Sequence, residues 1–459
     1  MYSPKIEQLS RSFMLKKYFP LITFILCLAL IPLVVSAQKF NPPDWSYNKA
    51  IYEVNIRQYT EEGNFKAFEK YLPRLKELGA DILWLMPIHP IGEKNRKGTL
   101  GSYYSVKDYK AVNPEFGTLE EFKSLVKMIH KMGMYVIIDW VANHTAWDNQ
   151  WIEEHPGFYI QDSLGNIISP NPDWTDVADL NFDNKELWTE MIDALKFWVE
   201  ECDIDGYRCD VAGMVPTEFW IEARTELEKI KNVFMLAEWD TPEVHLAFDM
   251  TYDWDLHHIM NGIVKEEKTA ADLTEHLNKN EEEFPANAFR MQFTSNHDEN
   301  SWNGTEFERL GDGFEAFAVL TCLIPDMPLV YSGQEAGFNK RLSFFEKDSI
   351  EWKDYKLFDI YSKLFQLKKK NKALQNGEQG GEMIYIQNSD EENIFAFTRS
   401  SEKDKVLALF NLSNKPAEVE LTSEALQGNY KNYFTGKLEY FSAKESFNLT
   451  PWEYRVYTK

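Results

Sequence analysis

Cysteine is scarce in this chain, with four in 459 residues, and one of them, Cys27, lies in an N-terminal apolar stretch. The other three, Cys202, Cys209 and Cys322, are odd in number and far apart, which excludes a disulfide framework and does not match a metal cluster. Each falls in an apolar run and reads as a buried thiol. Positive charge is also short: 49 Lys and Arg stand against 73 Asp and Glu, a formal net charge of −24. A polyanion would be repelled, so nucleic acid is excluded as a partner, whereas a neutral ligand is not. Internal repeats and low-complexity tracts are missing. Aromatic residues, by contrast, are plentiful at 15%, with 14 Trp, within a hydrophobic content of 44%. That is ample for a core, and leaves rings that can serve as stacking platforms for a ligand.

The N-terminus reads as a targeting segment. Lys16 and Lys17 supply a basic region, Leu21 to Ile31 carries no charge, and Val35-Ser36-Ala37 offers small residues to a signal peptidase. Cleavage is expected after Ala37, and Met14 offers a second start. A retained anchor is the alternative, disfavoured because the stretch is short for a span and is interrupted by Pro20 and Pro32. Bulky Leu26 before Cys27 speaks against a lipoprotein anchor. The expectation is an exported protein, periplasmic or extracellular, with no stable membrane span after cleavage. Oligomeric state is left open.

Beyond Gln38, short β-rich runs alternate with helical stretches. Strands are expected at Ile51–Ile56, Asp81–Met86, Met134–Asp139, Asp205–Val211, Val233–Glu238, around Phe248–Asp253, and at Phe289–Thr294 and Pro328–Tyr331. Helices are expected at Phe65–Leu78, Leu119–Met132, Glu186–Glu201, Thr217–Lys229, Gly313–Leu323 and Tyr355–Lys369. The count approaches eight strand–helix pairs over about 330 residues, which favours a closed TIM (β/α)8 barrel, residues 43–378, over an open sheet. Residues 145–182, rich in Pro, Asp, Asn and Trp, read as a short excursion after the third strand. From about Gly380 the helical signal ends, and short strands separated by turn residues predict a C-terminal antiparallel β-sandwich, residues 380–459.

Three carboxylates end three of these strands: Asp210 in Gly206-Tyr207-Arg208-Cys209-Asp210, Glu238 in Leu236-Ala237-Glu238, and Asp298 in Asn296-His297-Asp298. Asp139-Trp140-Val141-Ala142-Asn143-His144 precedes them. Hydrolysis of a glycosidic bond needs two carboxyl groups across a sugar ring, one charged and one protonated, and histidines can grip the hydroxyls. Arg208 shares a strand face with Asp210 and is expected to depress its pKa, while burial and the neighbouring anion raise that of Glu238. All of these residues follow strands, where barrel enzymes keep their chemistry.

The order and spacing of these segments resemble the α-amylase family, glycoside hydrolase family 13. The likeness extends to Gly101–Tyr109 with Tyr104 and Asp108, to Asn113-Pro114-Glu115-Phe116-Gly117-Thr118, to Asp179-Leu180-Asn181, and to Met327–Glu335. The resemblance implies Asp210 as nucleophile, Glu238 as general acid and base, and Asp298 as the group that holds hydroxyls as the ring flattens. It implies that His144, His297 and Arg208 contact or brace the same sugar, that Tyr104 stacks under it, and that Asp139 supports the site from beneath. Trp239 is expected to add an apolar wall. Trp140, Trp147, Trp174 and Trp302 fall near the expected mouth.

The residues and the resemblance together imply a secreted retaining hydrolase cleaving α-1,4-glucosidic bonds in starch- or maltodextrin-type glucans. It would work through a covalent glycosyl-enzyme intermediate, with its two carboxyl groups about 5–5.5 Å apart. Neopullulanase, α-glucosidase or glucanotransferase activity is the alternative in the same site, and a catalytically silent glucan binder is the alternative from another class. Many relatives place Lys-His shortly after the nucleophile beside a calcium ion; here Val211-Ala212-Gly213-Met214 stands there instead. Asn143 matches a calcium-ligand position but serves equally as a loop-bracing amide. Tyr59–Asn64 lacks an Asp-rich oxygen array. No cofactor is expected to be required, and no tightly bound calcium is expected.

Overall fold

Alternation along each barrel strand decides what the interior holds. The computed structural model describes residues 40–353 and 355–459, so the targeting segment lies outside the described residues. Eight parallel strands close on themselves: β1 (Ile51–Val54), β2 (Ile82–Leu85), β3 (Tyr135–Trp140), β4 (Gly206–Cys209), β5 (Phe234–Ala237), β6 (Met250–Tyr252), β7 (Phe289–Gln292) and β8 (Met327–Tyr331). Ile51, Ile82, Ile137, Phe234, Leu236, Met250, Phe289, Met291, Met327 and Leu329 pack inside the barrel. The alternate set, Tyr52, Val54, Leu83, Leu85, Val136, Ile138, Tyr207, Cys209, Met235 and Val330, packs outward under the helices. Two residues further along these rows, buried polar groups appear: Glu53, Asp139 and Arg208, beside the Trp84 ring. Register aligns Glu53 with Trp84 and Asp139 with Arg208.

The helices follow the expected face pattern. Lys185–Cys202 buries Leu187, Trp188, Met191, Leu195, Trp198, Val199 and Cys202, and its N-cap is Asn184. The expected single helix over Phe65–Leu78 is two, Phe65–Glu69 and Leu72–Leu78. Pro73 lacks the N–H needed to bond back and so sits in the first turn of the second piece. Two helices that the sequence pattern does not announce, Trp254–Val264 and Ala270–Glu283, come after β6.

The excursion after β3 carries an antiparallel pair, His144–Ala146 with Val177–Asp179, and a short helix, Trp151–Glu154. In the C-terminal part there are nine strands, in a six-stranded and a three-stranded sheet, as the expected antiparallel sandwich requires. Ile394, Ala396, Leu407 and Leu409 of the larger sheet pack on Val419, Leu421, Phe447 and Leu449 of the smaller one, a sandwich core. The opposite face of the larger sheet, Phe395, Phe397, Ala408 and Phe410, joins the core outside the barrel. Among the described residues no helix is long and apolar enough to cross a membrane.

Candidate active site

Arg208 is the centre of the polar layer. It has no exposure, and its Nη1 donates to Asp139 Oδ1 at 2.8 Å and to Asp210 Oδ1 at 3.0 Å. Nη2 lies 2.9 Å from Glu238 Oε1, and Nε donates to the Tyr252 hydroxyl at 3.2 Å. Asp139 is fully buried beneath, where its other oxygen accepts from Trp84 Nε1 at 3.2 Å and from the Tyr104 hydroxyl at 3.1 Å. Glu238 is further fixed by the Val211 N–H, which donates to Oε2 at 2.8 Å. To deliver that N–H, Val211 adopts φ 36°, ψ 47°, a left-handed conformation costly for a β-branched residue. Next to it, a Cβ on Gly213 would lie 2.0 Å from the Trp239 ring, so only glycine lets that indole rest on the turn.

Burial pushes Asp210 well above the usual carboxylate range, Glu238 adds to the rise, and Arg208 opposes it. The expectation that Arg208 holds Asp210 low is thereby corrected: one guanidinium divided among three carboxylates does not offset burial plus a facing anion. Glu238 is raised as well, by burial, with Arg208 opposing and Asp298 assisting. Two carboxyls sharing one cation at the cleft floor titrate as a unit, and both are shifted upward.

The two histidines differ in charge. Burial disfavours a cation at His297, yet Asp298 and Glu53 push its pKa up to about 9. Its Nδ1 donates to Glu53 Oε1 at 2.5 Å, and its Nε2 lies 2.6 Å from the Tyr104 hydroxyl and 3.3 Å from Asp298 Oδ2. His144 is held neutral, lowered by burial to about 4. Its Nδ1 faces the Asn143 amide nitrogen at 3.3 Å, so Asn143 braces that ring. Among the described residues no three His, Cys, Asp or Glu side chains gather as metal ligands.

A cleft of about 530 Å³ opens over this layer, lined by Tyr104, His144, Asp210, Glu238 and Asp298 together with Trp174, Trp302, Phe344 and Phe345. The structure therefore brings together every sequence-predicted site residue except Trp239, whose ring lies against Gly213 outside the lining. Of the four mouth tryptophans, Trp174 and Trp302 line the cleft, while Trp140 is fully buried and Trp147 binds the Thr175 carbonyl. Sequence reasoning misses Glu53, Trp84, Tyr252, Phe344 and Phe345. Glu53 carries a signal, a lone acid inside the apolar run Ile51-Tyr52-Glu53-Val54. The Phe pair lies in the loop after β8, where no periodicity marks position.

Known proteins resemble this chain in sequence and fold. The alpha amylase catalytic domain model matches residues 44–163 and 171–354, and the maltogenic amylase C-terminal domain model matches 384–456. The α-amylase MalA of Haloarcula japonica is 25% identical over 420 residues, covering 87% of this chain; the match spans 61% of that longer protein. Among solved structures, a maltogenic α-amylase of Thermotoga neapolitana is 30% identical with a TM-score of 0.83, covering 90% of this chain and 98% of that one. An α-amylase of Lactobacillus plantarum is 31% identical with a TM-score of 0.80, covering 90% and 99%. With the family model spanning the barrel, the excursion and the strand ends that carry Asp210, Glu238 and Asp298, this chain belongs to the α-amylase family of glycoside hydrolases.

Proposed function

We propose that the protein is an exported, retaining glycosidase that cleaves α-1,4-glucosidic bonds in maltodextrin-type glucans. The observation that carries the reading is Arg208 seated between Asp210 and Glu238 at the floor of a cleft wide enough for sugar rings. In the first step an oxygen of Asp210 attacks the anomeric carbon while the bond to the leaving oxygen breaks. Glu238 gives that oxygen its proton. In the second step water attacks the same carbon, Glu238 takes the water's proton, and Asp210 is released. Asp298 and the two histidines meet ring hydroxyls, and Tyr104 lies beneath the ring. The match to a maltogenic amylase C-terminal domain, and the maltogenic relative, support maltose as a main product.

Purified enzyme lacking residues 1–37 should release maltooligosaccharides from soluble starch and cleave maltotriose, with and without EDTA. The product should first appear as the α-anomer by proton NMR. A first-formed β-anomer would replace the double displacement with an inverting reaction. Panose from pullulan would move the reading to a neopullulanase, and absence of product from all three glucans would remove the hydrolase reading. Export is tested by the N-terminus of the protein recovered outside the cytoplasm, expected at Gln38.

A further inference from the structure

Along one arc of the cleft rim, the loops after β3, β2, β8 and β7 are fastened to one another in turn. The loop after β2 is tied to the excursion after β3 by Lys97, whose Nζ lies 3.2 Å from Asp176 Oδ1 and also binds the Asp173 carbonyl. Asp176 is 4% exposed, so the anchor is fixed, and its carbonyl accepts from the Ser105 hydroxyl at 3.0 Å. Two residues on, the same loop is tied to the loop after β8. Thr99 N–H donates to Glu346 Oε1 at 2.9 Å, the Thr99 hydroxyl binds the other Glu346 oxygen, and Leu100 N–H donates to the Phe345 carbonyl at 3.1 Å. Buried Arg57 holds the loop from below through the carbonyls of Leu100 and Gly101. The loop after β8 is in turn joined to that after β7, where Leu342 N–H donates to Asn300 Oδ1 at 2.9 Å and Phe344 packs on Trp302.

The wall is thus continuous through the loops after β3, β2, β8 and β7. Among the described residues no hydrogen bond joins the 168–177 stretch to the loops after β4 and β5, which carry Val211 and Glu238. The chemistry gives the two sides different meanings. Tyr104, His144 and Asp298, which hold the sugar that becomes attached to Asp210, come from the walled side. Glu238, which protonates the departing oxygen, stands on the open side.

We propose that the Lys97–Asp176 bridge closes the glycone end of the cleft, so that the enzyme works from non-reducing chain ends and releases short glycones, and that Lys97 is a specificity-determining residue. This rests on the proposed roles of Asp210 as nucleophile and Glu238 as acid. A chain bound internally would have to leave the cleft through the wall, whereas a chain end stops against it and its remainder leaves past Glu238.

The test compares maltoheptaose with maltoheptaose blocked at its non-reducing end by a 4,6-ethylidene group. Wild-type enzyme should cleave the blocked substrate at least about tenfold more slowly in kcat/KM. Lys97→Ala and, independently, Asp176→Asn should narrow that ratio severalfold while thermal unfolding shows a folded protein. Equal rates on both substrates with wild-type enzyme would overturn the proposal and leave the hydrolase reading standing, and so would a ratio unmoved in two folded variants. Failure to cleave even free maltoheptaose would overturn both. The wild-type comparison stands even where a variant fails to fold.

Discussion

Arg208 carries one charge and faces three carboxylates, and that imbalance sets the chemistry of the site. Asp210 and Glu238 are both pushed upward, so the pair keeps one proton to a higher pH than exposed carboxyls do. Turnover needs that singly protonated form. As pH falls the pair takes a second proton and Asp210 ceases to be a nucleophile; as pH rises the pair loses its last proton and Glu238 ceases to be an acid. A bell-shaped kcat/KM profile is therefore expected, with both limbs displaced upward from ordinary carboxylate values. Glu238→Gln should lower kcat on maltotriose about 10²- to 10⁴-fold and abolish the alkaline limb, read from rates across the pH range. An alkaline limb that persists in the variant would place the acid elsewhere. Asp210 and Glu238 are legible in the sequence because each directly follows a barrel strand, and Asp298 because it lies in order just beyond another. How Arg208 divides its charge is not, because Asp139 and Glu238 reach it from other strands. For that reason the direction of the Asp210 shift cannot be read from its own strand.

At the scale of elements, the barrel is readable where a short, nearly continuous apolar run is buried on both faces, as in Tyr135–Trp140 and Phe234–Ala237. The helices after β6 are not, although both carry start signals. Asp253 caps the first through the Leu256 N–H at 3.1 Å, and Thr269 with Asp272 forms a capping box on the second. Their buried faces include His257 and His276, satisfied by Glu299 and Asp253, so polar residues stand where an apolar stripe would mark a helix. The turn after β4 illustrates the same limit, since the need for glycine at 213 appears only once Trp239 of the loop after β5 lies on it. Gly213→Ala must displace that indole or the turn, and with it the Val211 N–H that holds Glu238. The variant should fold but lose about tenfold or more in kcat, and Gly213→Ala with Trp239→Ala should recover most of the loss. A single variant as active as wild type would show that the turn tolerates the shift.

At the scale of the molecule, the C-terminal sandwich and the barrel share an apolar interface. Phe395, Phe397, Ala408 and Phe410 cover it, and Arg399 of the same sheet bonds to the barrel. Arg399 is 1% exposed and donates only to carbonyls: Leu323 and Ile324 at the end of a barrel helix, Gln375 in the connection, and Gly381. Burial lowers its pKa to about 10, which still leaves it charged at neutral pH. Truncation to Ala would orphan those carbonyls, at about 1–3 kcal/mol for each left without a partner. Arg399→Ala should therefore lower the unfolding midpoint by several degrees while kcat on maltotriose, measured well below that midpoint, stays within about twofold. A chain ending at residue 379 removes the whole cover and exposes the aromatic face the sheet now buries, so it should be recovered as aggregate. If that chain instead proved soluble and cleaved maltotriose at the full-length rate, the sandwich would be an appendage to the barrel, and the burial of Phe395 and Phe397 would contribute nothing to the stability of the catalytic unit.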